Sequence, residues 1–97
     1  MDAKLTFLFD RIKEELEDAE EYLEHAIKCR QHPEMSSMFQ KLSADEMQHA
    51  QMLQAHAMQK VAAMGDDYAA AVHDWLKGHW MEHTVKIKHM QDALTSK

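Results

Sequence analysis

Hydrophobic residues recur at intervals of three and four through nearly the whole chain, and no stretch alternates apolar with polar residues as a β-strand does. Two breaks interrupt this helical pattern, one at His32-Pro33 and one at Gly65-Asp66. Proline fits the first turn of a new helix, glycine fits the position after a helix end, and aspartate caps a helix start. The sequence therefore predicts an all-α chain with helices at about 4–30, 33–64 and 67–95. The short first joint makes the first two helices an antiparallel hairpin.

Each of the first two segments carries an apolar face that includes ionisable residues. When successive residues are placed 100° apart around the helix axis, Glu15 falls within the apolar arc of the first segment, which is about 140° wide. Glu46 and His49 fall on the apolar side of the second segment. We therefore expect these three side chains to point inward. The apolar residues of the two faces are Leu5, Leu8, Phe9, Ile12, Leu16, Ala19, Tyr22, Leu23, Ala26 and Ile27, and then Met35, Met38, Phe39, Leu42, Ala50, Leu53, Ala57 and Met64.

A buried carboxylate needs a partner that neutralises its charge, because an ionised carboxylate in an apolar interior costs several kcal/mol. A divalent cation is such a partner, and Glu46 and His49 lie on adjacent turns of one helix face, where both can reach the same ion. Glu15 lies at a comparable depth on the other arm of the hairpin, so the three side chains can converge. Two other interpretations stay open for Glu15: an edge residue that extends toward solvent, and the partner of a lysine or arginine from another helix.

The number of ligands predicts a second copy of the chain. A di-iron site in a four-helix bundle takes one glutamate from each of two helices and a Glu-x-x-His pair from each of the other two. One hairpin supplies half of this set, and two copies related by a two-fold axis supply all of it. Carboxylate and imidazole ligands suit iron, manganese and zinc, and a glutamate-rich set with one histidine per ion favours iron. Ligand counting therefore predicts a homodimer, so that any higher oligomer contains an even number of chains.

Length and composition agree with the expectation of a partner chain or a metal. The 97 residues form a single small domain with a marginal core, and 17 acidic against 11 basic residues give a formal charge of −6. This charge favours cations and disfavours nucleic acid as partners. The single cysteine, Cys29, excludes an intramolecular disulfide, and the sequence shows neither a secretion signal nor a membrane-spanning apolar run. We expect a cytoplasmic protein with no membrane partner.

Two stretches carry a resemblance to a known family, EELEDAEEY at 14–22 and DEMQHAQML at 45–53. The combination of Glu15 with Tyr22 seven residues later, and then of Glu46 with His49 one hairpin further, resembles the ferritin-like superfamily. It is most similar to the short encapsulated ferritins, half-ferritins whose two-helix hairpins dimerise to build a ferroxidase centre. The resemblance covers residues 8–58, and it implies a dimeric four-helix bundle that assembles further into a ring.

The same resemblance implies a function, the oxidation of Fe²⁺ to Fe³⁺ by oxygen at a di-iron centre across the dimer interface, in iron storage or detoxification. By matching position, Glu15, Glu46 and His49 would be the iron ligands. An encapsulin nanocompartment would be the enclosing partner, although residues 93–97 do not resemble the usual shell-targeting tail. The alternative function is a non-catalytic metal-binding or scaffold bundle in which the metal only stabilises the dimer.

The resemblance also assigns roles to three neighbours of the ligands. Tyr22 would be a residue that contacts the ligands without binding the metal. It falls at the edge of the Glu15 face, where its hydroxyl can donate a hydrogen bond to a ligand carboxylate and orient it. A tyrosine packed at an interface is the other interpretation. Glu14 and Glu17 would form a cation entry site at the dimer surface.

The third segment contains two histidines at a metal-binding spacing. His79 and His83 lie four residues apart near the centre of an apolar stripe, as two histidines that hold one ion do. They are an additional candidate metal site that lacks a third inward ligand, and the alternative is packed or hydrogen-bonded histidines at a subunit contact. Gly78 beside them either permits a close helix approach or is tolerated at about 1 kcal/mol. The stripe consists of Tyr68, Val72, Trp75, Leu76, Ile87, Met90 and Leu94.

Overall fold

A computed structural model describes residues 3–64 and 67–95, with the side chains of 67–69 left out. It contains three helices, α1 (Ala3–Lys28), α2 (Pro33–Met64) and α3 (Asp67–Thr95), and none of the described residues lies in a β-strand. The predicted all-α architecture with three helices is confirmed, and the helix ends differ from the predicted ones by at most two residues. The roles predicted for Gly65 and Asp66 fall outside the described residues.

Backbone hydrogen bonds close the joint between α1 and α2 within a few residues. The amide of Cys29 donates to the carbonyl oxygen of His25 at 3.0 Å, and the amide of His32 donates to that of Cys29 at 2.8 Å. Pro33 then begins α2, at a position where a helix has no use for its missing N–H group. Because the connection is so short, α2 runs back along α1 as the hairpin prediction requires.

Small side chains form the contact between α1 and α2. Four buried residues of α2 recur every seven positions, so they lie on one line along the helix. The Ser43 hydroxyl donates a 2.8 Å hydrogen bond to the carbonyl oxygen of Ala19, and the Ser36 hydroxyl donates one of 2.9 Å to that of Ala26. These two bonds fix the register of the hairpin. The four residues are Ser36, Ser43, Ala50 and Ala57.

The apolar face predicted for the second helix is wrong in part. Ala50 and Ala57 are buried as expected, but Met35 and Met38 are each 50% exposed and Met64 is 38% exposed. The buried line is rotated toward the small residues, because serines that bond to α1 carbonyls let the two backbones approach closely. The larger apolar side chains are displaced to the flank of the hairpin, where they form a partly exposed surface.

Helix α3 completes the core from one side of the hairpin. Val72, Leu76 and Ile87 are buried in the same cluster as the core residues of α1 and α2, as the predicted stripe requires. Trp75 was predicted to be in that stripe but is 54% exposed, because its ring lies at the edge of the bundle against Phe9, with ring centroids 5.5 Å apart. The side chain of Tyr68 falls outside the described residues.

Side-chain contacts fix the direction of α3. Trp75 lies against Phe9 and His83 lies against Glu20, so α3 runs parallel to α1 and antiparallel to α2. No described atom lies within 4 Å of the position that a Cβ on Gly78 would occupy. Gly78 therefore does not serve a close helix approach within the described chain. None of the helices, over the residues described, is long and apolar enough to span a membrane.

The placement of α3 leaves the opposite side of the hairpin uncovered. Met47 of α2 packs against the common core and lines a groove shared with α3. Glu46 is the preceding residue and is rotated about 100° around the helix axis from Met47. His49 is half a turn from Met47 and is 56% exposed in its side chain. The side of α2 that carries Glu46 and His49 thus points away from α3.

Candidate metal centre

Three side chains that the sequence predicts to be metal ligands lie together in the structure. Nδ1 of His49 lies 3.4 Å from Oε2 of Glu15 and 3.9 Å from Oε1 of Glu46. One ligand atom from each residue can be chosen so that all three lie within 4.8 Å of one another. Among the described residues, Glu15, Glu46 and His49 form the one group of three or more His, Cys, Asp or Glu side chains with ligand atoms this close together. The hairpin register set by Ser36 and Ser43 brings the two arms of the site to the same level.

The three ligands differ in burial. The side chain of Glu15 is 7% exposed, that of Glu46 is 21% exposed and that of His49 is 56% exposed. The prediction that His49 points inward is therefore wrong for the single chain. The cause is the rotation of α2, which buries Ala50 in the contact with α1 and turns His49 toward the open side.

Arg11 occupies one oxygen of the buried carboxylate. Its guanidinium donates to Oε1 of Glu15 at 2.6 Å and to Oε2 of Glu14 at 2.8 Å. An arginine partner for Glu15 had been considered from another helix, whereas the structure places it one turn earlier on the same helix. The spacing of four residues between Arg11 and Glu15 is the sequence signal that identifies this pair.

The other oxygen of Glu15 is poorly satisfied. Oε2 is buried and accepts no hydrogen bond among the described residues while Glu46 is ionised, and the ring of His49 approaches it only to 3.4 Å. A buried carboxylate oxygen without a partner loses its hydration and gains nothing in return. It is therefore an unused ligand atom that faces the side chains of Glu46 and His49.

Glu46 keeps its proton to a higher pH than an ordinary glutamate. A hydrogen bond that protonated Glu46 donates to Glu15, then burial and the negative charge of Glu15, raise the pKa of Glu46 from 4.5 to about 7. Two ionised carboxylates this close repel each other, so Glu46 holds its proton until the pH approaches 7. A divalent cation that bound here would take the place of that proton.

Asp18 is a neighbour of the site that the sequence analysis did not single out. Burial first, and then the charges of Glu15, Glu21 and Glu14, raise the pKa of Asp18 above 3.8. Its spacing of three residues from Glu15 places both on neighbouring turns of one helix face. The negative charges of Asp18 and its acidic neighbours increase the attraction of the site for a cation.

The predicted entry-site residues point to different surroundings. Glu14 is bound to Arg11 at 2.8 Å, beside the candidate ligands. Glu17 lies 3.9 Å from Lys13, and its charge acts on His79 of α3. A cation entry site formed by Glu14 and Glu17 at a dimer surface stays a prediction.

Tyr22 stacks on an aromatic ring of α2. Its ring centroid is 6.3 Å from that of Phe39, with an angle of 27° between the planes, and the residue is partly buried. This contact joins the two arms of the hairpin beyond the candidate ligands. A hydrogen bond from the Tyr22 hydroxyl to a ligand carboxylate stays a prediction.

His83 of α3 contacts α1, and His79 lies beside it one turn earlier. His83 is buried, and its Nδ1 lies 2.6 Å from Oε1 of Glu20. His79 stacks on Trp75, and burial followed by the neighbouring His83 lowers the pKa of His79 below 6.5. Glu20 was missed because a helical pattern alone does not show which residue of α1 meets α3.

The donor set of the candidate centre fits a divalent cation. Two carboxylates and one imidazole suit iron, manganese and zinc, and the unpartnered Oε2 of Glu15 is a ready ligand atom. Comparisons of the chain with protein-family models, with curated proteins and with solved structures give no match. The resemblance to the short encapsulated ferritins therefore stays a prediction, and the chemistry of the site is argued from its geometry.

Proposed function

We propose that two copies of this chain form a homodimeric ferroxidase that oxidises Fe²⁺ to Fe³⁺ with oxygen, in iron storage or detoxification. Its di-iron centre would consist of Glu15, Glu46 and His49 from both copies. The observation that carries the proposal is the buried, unpartnered Oε2 of Glu15, which lies within 3.4 Å of His49 beside a carboxyl group whose pKa is raised to about 7. An encapsulin shell is the enclosing partner that the family resemblance suggests.

The uncovered side of the hairpin supports a second copy as the missing half. The flank of α2 that carries Glu46 also carries Met35, which is 50% exposed, and the partly buried Leu42 and Leu53. These residues recur on one helix face, so they form an apolar strip along the site. A two-fold axis over this strip would bury it and would turn the exposed His49 toward the partner's carboxylates.

Each ligand has a distinct task when Fe²⁺ binds as substrate. Glu46 releases its proton and becomes the carboxylate that can bridge two ions across the dimer axis. Glu15 provides Oε2 directly and provides Oε1 once Arg11, which is 43% exposed in its side chain, swings toward solvent. His49 contributes a neutral nitrogen ligand from the open side.

The reaction needs two iron ions because the reduction of O₂ to H₂O₂ takes two electrons and each Fe²⁺ gives one. Two Fe²⁺ lose one electron each, O₂ accepts both electrons with two protons, and the products are two Fe³⁺ and one H₂O₂. The carboxylates stabilise the higher charge of Fe³⁺ relative to Fe²⁺, which favours the oxidation. A site for one ion alone would not place both electrons beside one oxygen molecule.

The test is aerobic mixing of the metal-free protein with Fe²⁺, with simultaneous records of ferric absorbance and oxygen uptake. We expect Glu46→Gln to lower the initial rate by at least about tenfold, because it removes the bridging charge while it keeps the size of the side chain. Glu24→Gln, at an exposed position of α1, is the matched control and should leave the rate unchanged. Equal rates for the wild type and Glu46→Gln would refute the catalytic proposal.

The rival function is a non-catalytic bundle in which a metal ion only holds the dimer together. The Arg11 contact favours it, because Glu15 already has a cationic partner without a metal. Under this alternative, Fe²⁺, Mn²⁺ or Zn²⁺ should raise the melting temperature and the dimer fraction, while oxygen uptake should equal that of buffer with iron alone. Oxygen uptake separates the two functions, and light scattering in the same samples records the dimer fraction.

A further inference from the structure

A second cluster of imidazole and carboxylate groups joins α3 to α1. The ring centroids of His79 and His83 lie 4.6 Å apart, with an angle of 73° between the ring planes. The ring of Trp75 stacks on His79 at 5.2 Å with an angle of 5°. Nδ1 of His83 lies 2.6 Å from Oε1 of Glu20 on α1. None of these groups belongs to the candidate centre on the opposite side of the hairpin.

Glu20 determines which nitrogen of His83 is available. A carboxylate this close to Nδ1 accepts a hydrogen bond from it, so the proton of the neutral ring resides on Nδ1. Nε2 of His83 then carries the free lone pair. A carboxylate that orients a histidine in this way is the usual arrangement behind metal-bound histidines in proteins.

His79 provides a second nitrogen without a partner. Its Nε2 atom is buried and has no hydrogen-bond partner among the described residues. Since buried polar atoms are nearly always satisfied, an unpartnered one requires an explanation. The stacked Trp75 holds the ring of His79 in place, which limits its freedom to seek a partner elsewhere.

The spacing of the two histidines is that of a metal-binding helix. Residues four apart lie on one face one turn from each other, and zinc enzymes use two histidines at this spacing to bind one ion. Zinc lies about 2.0 to 2.1 Å from each histidine nitrogen, so two rings with centroids 4.6 Å apart can reach one ion. The Glu20 carboxylate, 2.6 Å from Nδ1 of His83, adds a negative charge beside the two rings that favours a cation.

We propose that His79 and His83 bind a divalent transition-metal ion of the zinc type, with Glu20 as the positioning residue that orients His83. The site is separate from the proposed iron centre and does not depend on it. The two imidazoles supply the protein ligands. Because Glu20 belongs to α1, the bound ion also strengthens the attachment of α3 to the hairpin.

The test uses untagged full-length protein with the first site disabled by Glu46→Ala and His49→Ala, so that the two sites are measured independently. Titration with Zn²⁺ by calorimetry should show one ion per chain in this background. Adding His79→Ala and His83→Ala should abolish that binding. His89→Ala, an exposed histidine of the same helix, is the matched control and should not change it.

The positioning role of Glu20 has its own measurement. Glu20→Ala should weaken Zn²⁺ binding by about 10- to 100-fold, the usual effect of removing a carboxylate behind a ligand histidine. Glu20→Gln keeps an oxygen acceptor for Nδ1 of His83 and should restore part of the loss. A purely structural role of Glu20 would instead change the melting temperature and leave the zinc affinity unchanged.

A measurement on the unsubstituted histidines guards against misfolded variants. In the Glu46→Ala, His49→Ala background, Zn²⁺ should shift the Nε2 nitrogen resonances of His79 and His83 and leave those of His89 in place. Failure to bind one Zn²⁺ per chain, or unchanged binding after removal of both histidines, would overturn the proposal. A failure of the unsubstituted protein to oxidise iron would contradict the proposed ferroxidase function and not the zinc site, because the two proposals concern different sites.

Discussion

The guanidinium of Arg11 lies 2.6 Å from Oε1 of Glu15, one helical turn along α1. The two oxygens of the buried Glu15 carboxylate therefore differ. Oε1 is paired with Arg11 of the same helix, whereas Oε2 faces Glu46 and His49 and accepts no hydrogen bond among the described residues while Glu46 is ionised. The site therefore contains its own cation, which a metal ion has to compete with.

Replacement of Arg11 should strengthen metal binding and weaken the metal-free fold. We expect Arg11→Gln to increase the affinity for Mn²⁺ by about tenfold, because one competing positive charge is removed beside the site. The same variant should lower the free energy of unfolding of the metal-free protein by about 1 to 3 kcal/mol, since Glu15 stays buried without its partner. Calorimetry and urea unfolding provide the two values. Lys13→Gln, which removes an exposed lysine of the same helix, is the control.

The metal-free protein should become less stable as the pH rises from about 4.5 to about 7. The pKa of Glu46 is raised from 4.5 in the unfolded chain to about 7 in the folded one, so the folded state binds more protons in this window. The stabilisation by protonated Glu46 is fully present below pH 4.5 and is lost as the pH rises through about 7. The loss is at most about 3 kcal/mol. Urea unfolding in the presence of a chelator measures it. Glu46→Gln should flatten this part of the profile, and a decline that persists in that variant would contradict the prediction.

The contact between Ser43 and Ala19 should control both stability and site geometry. Ser43 is only 1% exposed and its hydroxyl bonds the Ala19 carbonyl oxygen at 2.8 Å, so Ser43→Ala should cost about 1 kcal/mol. Ser43→Leu should cost about 1 to 3 kcal/mol or more, because it forces α1 and α2 apart. The larger variant should also weaken Mn²⁺ binding, since it separates Glu15 from the ligands of α2. Ser37→Leu, at an exposed position, is the control and should leave both values nearly unchanged.

A charge on the exposed apolar flank of α2 should prevent dimerisation and leave the monomer folded. Met35 is 50% exposed, so Met35→Glu should change the stability of the single chain by no more than about 0.5 kcal/mol. Sedimentation velocity should show the loss of the dimer, and iron oxidation should fall with it. Met81→Glu, at a 54% exposed methionine of α3, should retain both. A Met35→Glu protein that still dimerises would place the interface elsewhere.

Gly78 precedes His79 but lies on an open part of α3, where it offers a stabilising substitution. A Cβ at this position meets no described atom within 4 Å, and glycine in a helix interior is about 1 kcal/mol less favourable than alanine. Gly78→Ala should therefore raise the free energy of unfolding by about that amount without any change in zinc or manganese affinity. A destabilised variant would indicate that another molecule packs against Gly78 in solution.

The ends of the helices and the convergence of the ligands followed from local signals. Pro33 and the short joint before it determine where α2 begins and that it returns along α1. With that register, Glu15 and the pair Glu46 and His49 have to lie at similar heights. The 3.4 Å distance between Glu15 and His49 confirms the predicted convergence.

The rotation of α2 did not follow from its hydrophobic pattern. Bulky methionines such as Met35 and Met38 mark an apolar face, and the prediction placed that face in the core. The structure instead buries Ser36 and Ser43, whose hydroxyls are satisfied by carbonyl oxygens of α1. A serine counts as polar in any pattern, and only the partner helix shows that its hydroxyl is bonded and that its small size allows close packing.

The sequence by itself determined three helices, a hairpin and the residue types of a cation site, because capping, chain stiffness and helical periodicity act over a few neighbouring residues. The tertiary structure decided which faces meet. It places Glu20 of α1 against His83 of α3, leaves the His49 side chain more than half exposed, and exposes the methionines on the flank of α2. These choices depend on how well side chains from distant parts of the chain fit and bond to one another, and a single helix does not contain that information.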